Sequence, residues 1–137
     1  MEPEICRQLF STQPVAHLAT TGPKGPHVVP IVFAVSGNTI VSIVDHKPKR
    51  SSRLKRLANI EANSAVSVLV DHYSDDWGRL WWVRADGTAS ILESGRDHAA
   101  AVDLLVARYE QYHDRPPHGP AINISVTRWS GWRSEEE

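Results

Sequence analysis

The sequence has few of the features that mark secreted, membrane or disulfide-rich proteins. Its 137 residues include one cysteine, Cys6, so an intrachain disulfide is excluded and a reducing compartment is the simplest interpretation. The acidic N-terminus has no apolar run of signal-peptide length, and no segment approaches the roughly 18 apolar residues of a membrane span. We therefore expect a cytoplasmic protein without a membrane partner.

The sequence also lacks the common catalytic and binding signatures. It contains no glycine-rich dinucleotide motif, no P-loop and no nucleophile elbow. Its seven histidines form no metal-binding pattern with one another or with the cysteine. No catalytic side chain and no metal ligand is nominated, which fits an enzyme whose cofactor performs the chemistry.

Composition and hydrophobic patterning predict a single domain, 1–137, of mainly β structure. The predicted helices are 3–12, 51–62 and 96–112, and the predicted strands are 15–20, 27–35, 39–44, 64–71, 80–92 and 121–132. Consecutive strands are mostly separated by hairpin-length connections, and no strand–helix repeat recurs. We therefore expect an antiparallel barrel with helices packed outside it.

Particular positions carry more specific expectations. The run 27–35 is almost continuously apolar, so both of its faces should be covered. Pro30 marks an edge, a bulge or a gap where a ligand could lie, and Gly87 predicts a bulge or a bend. The predicted helix stripes consist of Leu54, Leu57, Ala58 and Glu61 in the second helix, capped by Ser51 or Ser52, and of Ala100, Leu104, Ala107 and Tyr109 in the third.

The strongest chemical signal is a basic segment, 47–56, that contains six cationic residues and no acid. It runs into the start of the second helix, where free backbone N–H groups and the positive end of the helix dipole favour an anion. The residues predicted to hold a phosphate are Lys47, Lys49, Arg50, Ser51 and Arg53. Lys55 and Arg56 are expected to point to water. The alternative is a solvated basic face, as most runs of charge are.

A second signal is aromatic. Trp77, Trp81 and Trp82 fall in one six-residue window. Trp81 and Trp82 are adjacent in a strand, so they face opposite sides of the sheet. One can enter the barrel while the other meets a partner or a ring-shaped ligand, and packing in the core or in a dimer interface is the alternative for each.

Four segments together resemble the pyridoxamine 5′-phosphate oxidase-like split-barrel superfamily. They are His-Leu-Ala-Thr at 17–20, Gly-Pro-His-Val-Val-Pro-Ile-Val-Phe at 25–33, Lys-Arg-Ser-Ser-Arg-Leu at 49–54 and Leu-Trp-Trp-Val-Arg-Ala-Asp-Gly-Thr-Ala at 80–89. Within that superfamily the chain is most similar to actinobacterial and mycobacterial enzymes that use the deazaflavin coenzyme F420. The resemblance implies a mainly β split β-barrel with flanking helices, active as a homodimer with its cofactor sites at the interface.

The resemblance also implies roles for individual residues. Lys47, Lys49, Ser51 and Arg53 would hold the cofactor's phosphate or acidic tail. The residues beside the tricyclic ring would be Val29, Pro30, Ile31 and Val32. Trp77 to Trp82, from the other subunit, would help to close the pocket. The further phosphate-binding residues of pyridoxamine phosphate oxidases proper are missing here, so vitamin B6 oxidation is not expected.

The resulting hypothesis is hydride transfer between F420 and a small, electron-poor organic substrate. An FMN-dependent oxidoreductase on the same fold and a non-catalytic protein that carries F420 or flavin are the alternatives. Nucleic-acid binding through 47–56 is disfavoured, because the net charge is −1 and the tryptophan cluster lies outside the basic segment.

Overall fold

The computed structural model describes residues 1–44 and 50–134, with backbone only for 50–54. Within these ranges the helices are α1 (Pro3–Ser11), α2 (Arg50–Ala62) and α3 (Arg96–Arg108). The strands are β1 (Ala16–Gly22), β2 (Gly25–Ile31), β3 (Ala34–Ser36), β4 (Thr39–Ile43), β5 (Ala65–His72), β6 (Trp81–Leu92) and β7 (Ala121–Arg133). Short 3-10 turns, Trp77–Arg79 and Glu110–Tyr112, precede β6 and follow α3.

The seven strands form one antiparallel sheet in the order β2-β1-β5-β6-β7-β4-β3. β2 and β3 lie at opposite edges of this sheet, yet only Val32 and Phe33 separate them in the chain. Two residues can bridge no more than roughly 10 Å, so the sheet must curl until its edges approach each other. The predicted antiparallel, mainly β fold is confirmed.

The curled sheet encloses the main hydrophobic core. Val66, Val68 and Val70 alternate into it from β5, as do Ile122 and Ile124 from β7. Phe10 of α1 is fully buried there, with its ring centroid 4.9 Å from that of Phe33 and 5.4 Å from that of Trp129. Both pairs meet edge to face, so α1 closes one side of the barrel through a single aromatic anchor.

Gly87 produces the predicted irregularity in β6. The pairing of β6 with β7 shifts between Asp86 and Gly87, which is the signature of a bulge. A Cβ atom at residue 87 would lie 2.2 Å from the backbone oxygen of Ser125. The two strands therefore approach each other closely only because this position has no side chain.

The run 27–35 is not one strand, as the sequence predicts, but two. β2 ends at Ile31 and β3 begins at Ala34, and the backbone of Phe33 bonds to side chains at the end of α3 instead of to a neighbouring strand. Arg108 Nη1 donates to the Phe33 carbonyl oxygen (2.6 Å), and the Phe33 N–H donates to the Tyr109 hydroxyl oxygen (3.1 Å). This break moves the chain from one edge of the sheet to the other.

The expectation that both faces of 27–35 are covered is also wrong. Side chains of β2 alternate between partly buried and exposed, and Val28 is 61% exposed. The strand covered on both faces is β4, in which Ile40 to Ile43 are all buried. One face of β4 looks into the barrel, and α3 packs on the other through Ala101 and Leu105. The outer layer thus lies over β4 and not over β2.

Both predicted helix stripes are right in part: Leu57 packs against the main core, and Leu104 and Tyr109 pack against the cluster around Leu105. The side chain of Leu54 lies outside the described part of the chain. In α3 the buried residues are Ala101 and Leu105, while Ala100 and Ala107 are exposed, and the helix ends at Arg108 before Tyr109 turns back to bond with Phe33. In α2 the buried residues are Asn59 and Ile60, and the predicted Ala58 and Glu61 are exposed. Asn59 Nδ2 donates to Thr20 Oγ1 of β1 at 3.1 Å. α2 begins at Arg50, so Ser51 and Ser52 lie in its first turn and not at its cap.

Candidate functional site

The predicted phosphate site lies mostly outside the described side chains. Lys47 and Lys49 fall outside the described residues. Ser51 and Arg53 lie in the first turn of α2, and so does Arg50, which the sequence analysis places before the helix. The arrangement of these five residues around an anion therefore stays a prediction.

Arg56, which was expected to point to water, is partly buried. Its Nε atom is buried and has no hydrogen-bond partner among the described residues. Burial lowers the pKa of the Arg56 guanidinium. Arg56 precedes the buried pair Asn59 and Ile60 by three and four residues, so it lies on the face of α2 that meets the sheet. That i, i+3 and i, i+4 spacing is the sequence signal that could have identified it.

A second unpaired polar atom belongs to the start of β2. His27 Nδ1 is buried and makes no hydrogen bond within the described structure. His27 lies directly opposite Thr20 in the β1–β2 ladder, and Thr20 is the residue that accepts the bond from Asn59. His27 is therefore the cross-strand partner of one member of the Asn59–Thr20 bond, and Arg56 precedes the other member by three residues. Unsatisfied buried polar groups are uncommon in native proteins, and such a pair fits a site that receives a polar or anionic group.

The residues predicted to lie beside a ring occupy an edge of the sheet. Among the strands that the structure describes, β2 pairs with β1 alone, so the expectation that Pro30 marks an edge is confirmed. Val29 and Val32 are partly buried, Ile31 is buried and Pro30 is exposed. Ser42 Oγ donates to the Val32 carbonyl oxygen at 2.7 Å, which fixes the backbone where β2 ends. An open edge with an apolar inner face can accommodate a flat ligand.

The two adjacent tryptophans face opposite sides of the sheet, as predicted. Trp81 packs against the main core, whereas Trp82 lies on the outside with the Arg84 guanidinium carbon 5.8 Å from its ring centroid. Trp77, in the turn before β6, is 70% exposed. In the sheet, Trp81 lies opposite His72 of β5 on one side and opposite Arg133 of β7 on the other.

The outer face of β2, β1, β5 and β6 is an uncovered surface of mixed character. Ala19, Val28, Leu69 and Trp82 contribute its apolar part, and with their polar neighbours they line a shallow depression of about 480 Å³. Val28 and Leu69 are 61% and 37% exposed in the single chain. Exposed apolar residues grouped on one face in this way make it a candidate interaction site.

In the described parts of the chain, no helix is long and apolar enough to cross a membrane. Among the same residues, His, Cys, Asp and Glu side chains form no group of three that could hold a metal ion. Burial raises the pKa of the Cys6 thiol, so the protonated form, a weak nucleophile, is favoured.

A curled seven-stranded antiparallel sheet, with helices packed outside it, defines a split β-barrel protein. The chain belongs to the pyridoxamine 5′-phosphate oxidase family, whose sequence model matches residues 2–133. The superfamily resemblance found in the sequence is therefore confirmed. No curated protein matches the sequence.

Solved structures share this fold at low sequence identity. A FAD-binding protein from Mesorhizobium loti is 21% identical, with a TM-score of 0.75 over 96% of this chain and 94% of that one. The FAD-binding protein from Mycobacterium smegmatis is 20% identical, with a TM-score of 0.70 over 97% of each chain. A conserved hypothetical protein from Mycobacterium tuberculosis is 20% identical, with a TM-score of 0.77 over 97% of this chain and 85% of that one. These similarities establish the fold.

Proposed function

We propose that this protein is an oxidoreductase that binds a phosphate-bearing deazaflavin, coenzyme F420, and acts on a small, electron-poor organic substrate. The observation that carries the proposal is the buried Nε of Arg56, which has no hydrogen-bond partner among the described residues and lies six residues after a helix start rich in cations and hydroxyls. When bound, the cofactor supplies hydride transfer, and the protein supplies binding, orientation and exclusion of water. No step is assigned to a protein nucleophile.

The anionic end of the cofactor is assigned to the start of α2. Backbone N–H groups of the first turn and the helix dipole favour a phosphate there. The side chains proposed to hold it are Lys47, Lys49, Arg50, Ser51, Arg53 and, on the structural evidence, Arg56. A buried N–H without a partner is costly, and the Arg56 Nε has none among the described residues, so an anion bound there gains more than one that pairs with a solvated cation.

The ring is assigned to the edge strand β2. Val29, Pro30, Ile31 and Val32 would lie beside it, and the bond from Ser42 to Val32 would hold that backbone still. Apolar side chains at this edge would keep water from the reacting face of the ring.

F420 and flavin are distinguished by charge. The segment 47–56 carries six cationic residues and no acid, more than one phosphate requires, and this excess suits the polyglutamate tail of F420. The second candidate is a flavin, FMN or FAD, and the solved FAD-binding proteins of the same fold favour it. A protein that only carries the cofactor would bind it without turnover.

The cofactor site is proposed to need a second copy of the chain. The uncovered outer face, with Val28, Leu69 and Trp82, offers an apolar surface for a two-fold related copy. Trp77 and Trp81 of that copy would help to close the pocket over the ring. A stable dimer would cover the outer face of β2, which a single chain leaves exposed.

The function is tested by parallel fluorescence titrations of the purified protein with oxidised F420, FMN and FAD at physiological salt. We expect tight binding of F420, followed by oxidation of reduced F420 in the presence of an electron-poor acceptor. Tight binding of a flavin alone would move the protein to the flavin-dependent members of the fold. Binding of none of the three would overturn the proposal, and F420 binding without turnover with any acceptor would indicate a carrier.

Single substitutions at the basic segment test the phosphate assignment. We expect Lys49→Ala and Arg53→Ala each to weaken F420 binding about tenfold, because each removes one charge-assisted hydrogen bond. Lys55→Ala, at an exposed position of the same helix, is the matched control and should change the affinity little. If both variants bind F420 as tightly as the parent, the phosphate lies elsewhere.

Val28→Glu tests the interface. A two-fold interface would contain the substitution twice, so we expect the dimer dissociation constant to rise at least roughly hundredfold, with a parallel loss of F420 binding. Val15→Glu, at a valine that is 44% exposed outside the strands, is the control and should remain dimeric. Sedimentation equilibrium measures the dimer dissociation constant of the parent and of each variant, and fluorescence titration measures F420 binding. A parent protein that is monomeric at micromolar concentration would contradict the proposal.

A further inference from the structure

A cleft of about 750 Å³ opens where the β5–β6 connection meets the end of β7. Its main lining residues are His72, Arg79, Leu80, Trp81, Arg133 and Ser134. Its volume lies within the range of sites for small organic molecules. Within the described chain, none of its lining residues belongs to the basic segment 47–56.

One wall of the cleft is a flat aromatic surface. The His72 and Trp81 rings stack with centroids 6.2 Å apart and planes 21° apart. Their stacking is fixed by the sheet, because the two residues are directly opposite in the β5–β6 ladder. Ser134 ties the end of β7 to the same place, since its N–H donates to the Leu80 carbonyl oxygen at 2.9 Å. A rigid flat wall of this kind suits a planar ring.

The cleft is also cationic. Arg133 is the cross-strand partner of Trp81, and Arg79 lies in the turn before β6. None of the described lining residues is acidic. Arg79 pairs with Asp76 at 3.4 Å, but both side chains are more than 60% exposed, so this contact is weak and easily exchanged. A guanidinium next to a flat wall matches a carboxylate attached to an aromatic ring, because the planar fork binds both carboxylate oxygens.

We propose that this cleft binds a planar aromatic or heteroaromatic carboxylate, with its ring against Trp81 and its carboxylate on Arg133 and Arg79. The inference deepens the proposed function and rests on it for one point, namely that the bound acid is the substrate of the pocket that Trp77 and Trp81 help to close. Binding itself does not depend on the cofactor.

The test is a two-dimensional ¹⁵N NMR titration of the full chain, without cofactor, against three probes. Benzoate has the ring and the charge, benzamide has the ring alone, and cyclohexanecarboxylate has the charge alone. We expect benzoate to shift the Trp81 indole N–H signal and the amides of His72 and Arg133. We expect the other two probes to bind at least about fivefold more weakly. Equal binding of benzoate and benzamide, or shifts confined to other regions, would overturn the inference.

Arg133→Gln removes the charge and keeps most of the side chain. We expect it to weaken benzoate binding about tenfold and to leave benzamide binding unchanged. Lys24→Gln, which removes one exposed positive charge in the β1–β2 turn, is the matched control and should bind benzoate as the parent does. The NMR spectrum of each variant shows directly whether it is folded. Parent-like benzoate binding by Arg133→Gln would contradict the assignment.

The outcomes separate the two proposals. Benzoate binding by a protein that binds neither F420 nor a flavin would support the cleft and overturn the proposed function. Binding of F420 without binding of benzoate would do the reverse. When both bind, addition of benzoate should inhibit turnover competitively with the organic substrate, and purely noncompetitive inhibition would remove the substrate role of the cleft.

Discussion

Replacing Arg108 with methionine is expected to lower the free energy of unfolding by about 3 kcal/mol. The Arg108 guanidinium donates to the carbonyl oxygens of Phe33, Ser11 and Gln13, and its central carbon lies 4.4 Å from the centroid of the Phe33 ring. It therefore joins the end of α3 to two segments that are 75 and more residues away. Methionine retains the apolar packing but removes the bonds from Arg108 to the Ser11 and Gln13 carbonyl oxygens, and leaves that of Phe33 with the Tyr109 hydroxyl as its side-chain donor.

Urea denaturation of the parent and the variant measures this effect. Arg96→Met, at an exposed position in the first turn of the same helix, is the control, and a change within about 0.5 kcal/mol is expected. If the free energy of unfolding of Arg108→Met fell by less than about 1 kcal/mol, water would replace the hydrogen bonds of the guanidinium at little cost. The break between β2 and β3 would then be held by other contacts.

Arg56→Met should weaken cofactor binding without lowering the free energy of unfolding. We expect the dissociation constant of the cofactor to rise roughly 10- to 100-fold, because a charge-assisted hydrogen bond is worth about 1.5–3 kcal/mol. The free energy of unfolding should stay the same or rise, because the variant removes a buried N–H that has no partner within the described residues. If Arg56 had a purely structural role, the substitution would instead lower the free energy of unfolding.

The two measurements are F420 titration and thermal unfolding of the cofactor-free protein. Lys55→Met is the matched control, since Lys55 is the exposed neighbour on the same helix and should change neither quantity. If Arg56→Met loses stability and keeps the affinity, Arg56 has an undescribed partner and does not face the cofactor. That result would leave Lys49 and Arg53 as the remaining tests of the phosphate site.

The fold could be predicted from the sequence wherever local pattern and long-range packing agree. The strands and the bulge at Gly87 follow from alternation, turn residues and a missing side chain. The break at Phe33 could not be predicted, because it is imposed by Arg108 and Tyr109 from the other half of the chain. The buried face of α3 could not be predicted for a different reason: its alanines allow two apolar stripes of nearly equal quality, and only packing on β4 selects the one with Ala101 and Leu105.

The candidate site was only partly predictable. Charge and a helix start identify the basic segment, but they do not show which cation is buried. Arg56 looks like its exposed neighbour Lys55 until Asn59 and Ile60 are seen to face the sheet. Arg133, one of the two arginines that line the cleft, could not be identified from the sequence, because its role depends on the strand pairing that places it beside Trp81.

The two prolines of β2 limit the hydrogen bonds that another strand could form with the open edge of the sheet. Pro26 and Pro30 pair with Thr21 and His17 of β1, and a proline fits a ladder only where its nitrogen faces away from the neighbouring strand. The open edge of β2 therefore lacks the N–H donors of positions 26 and 30. A strand from another molecule would find no complete ladder there, so fibre-like growth from edge to edge is disfavoured at β2.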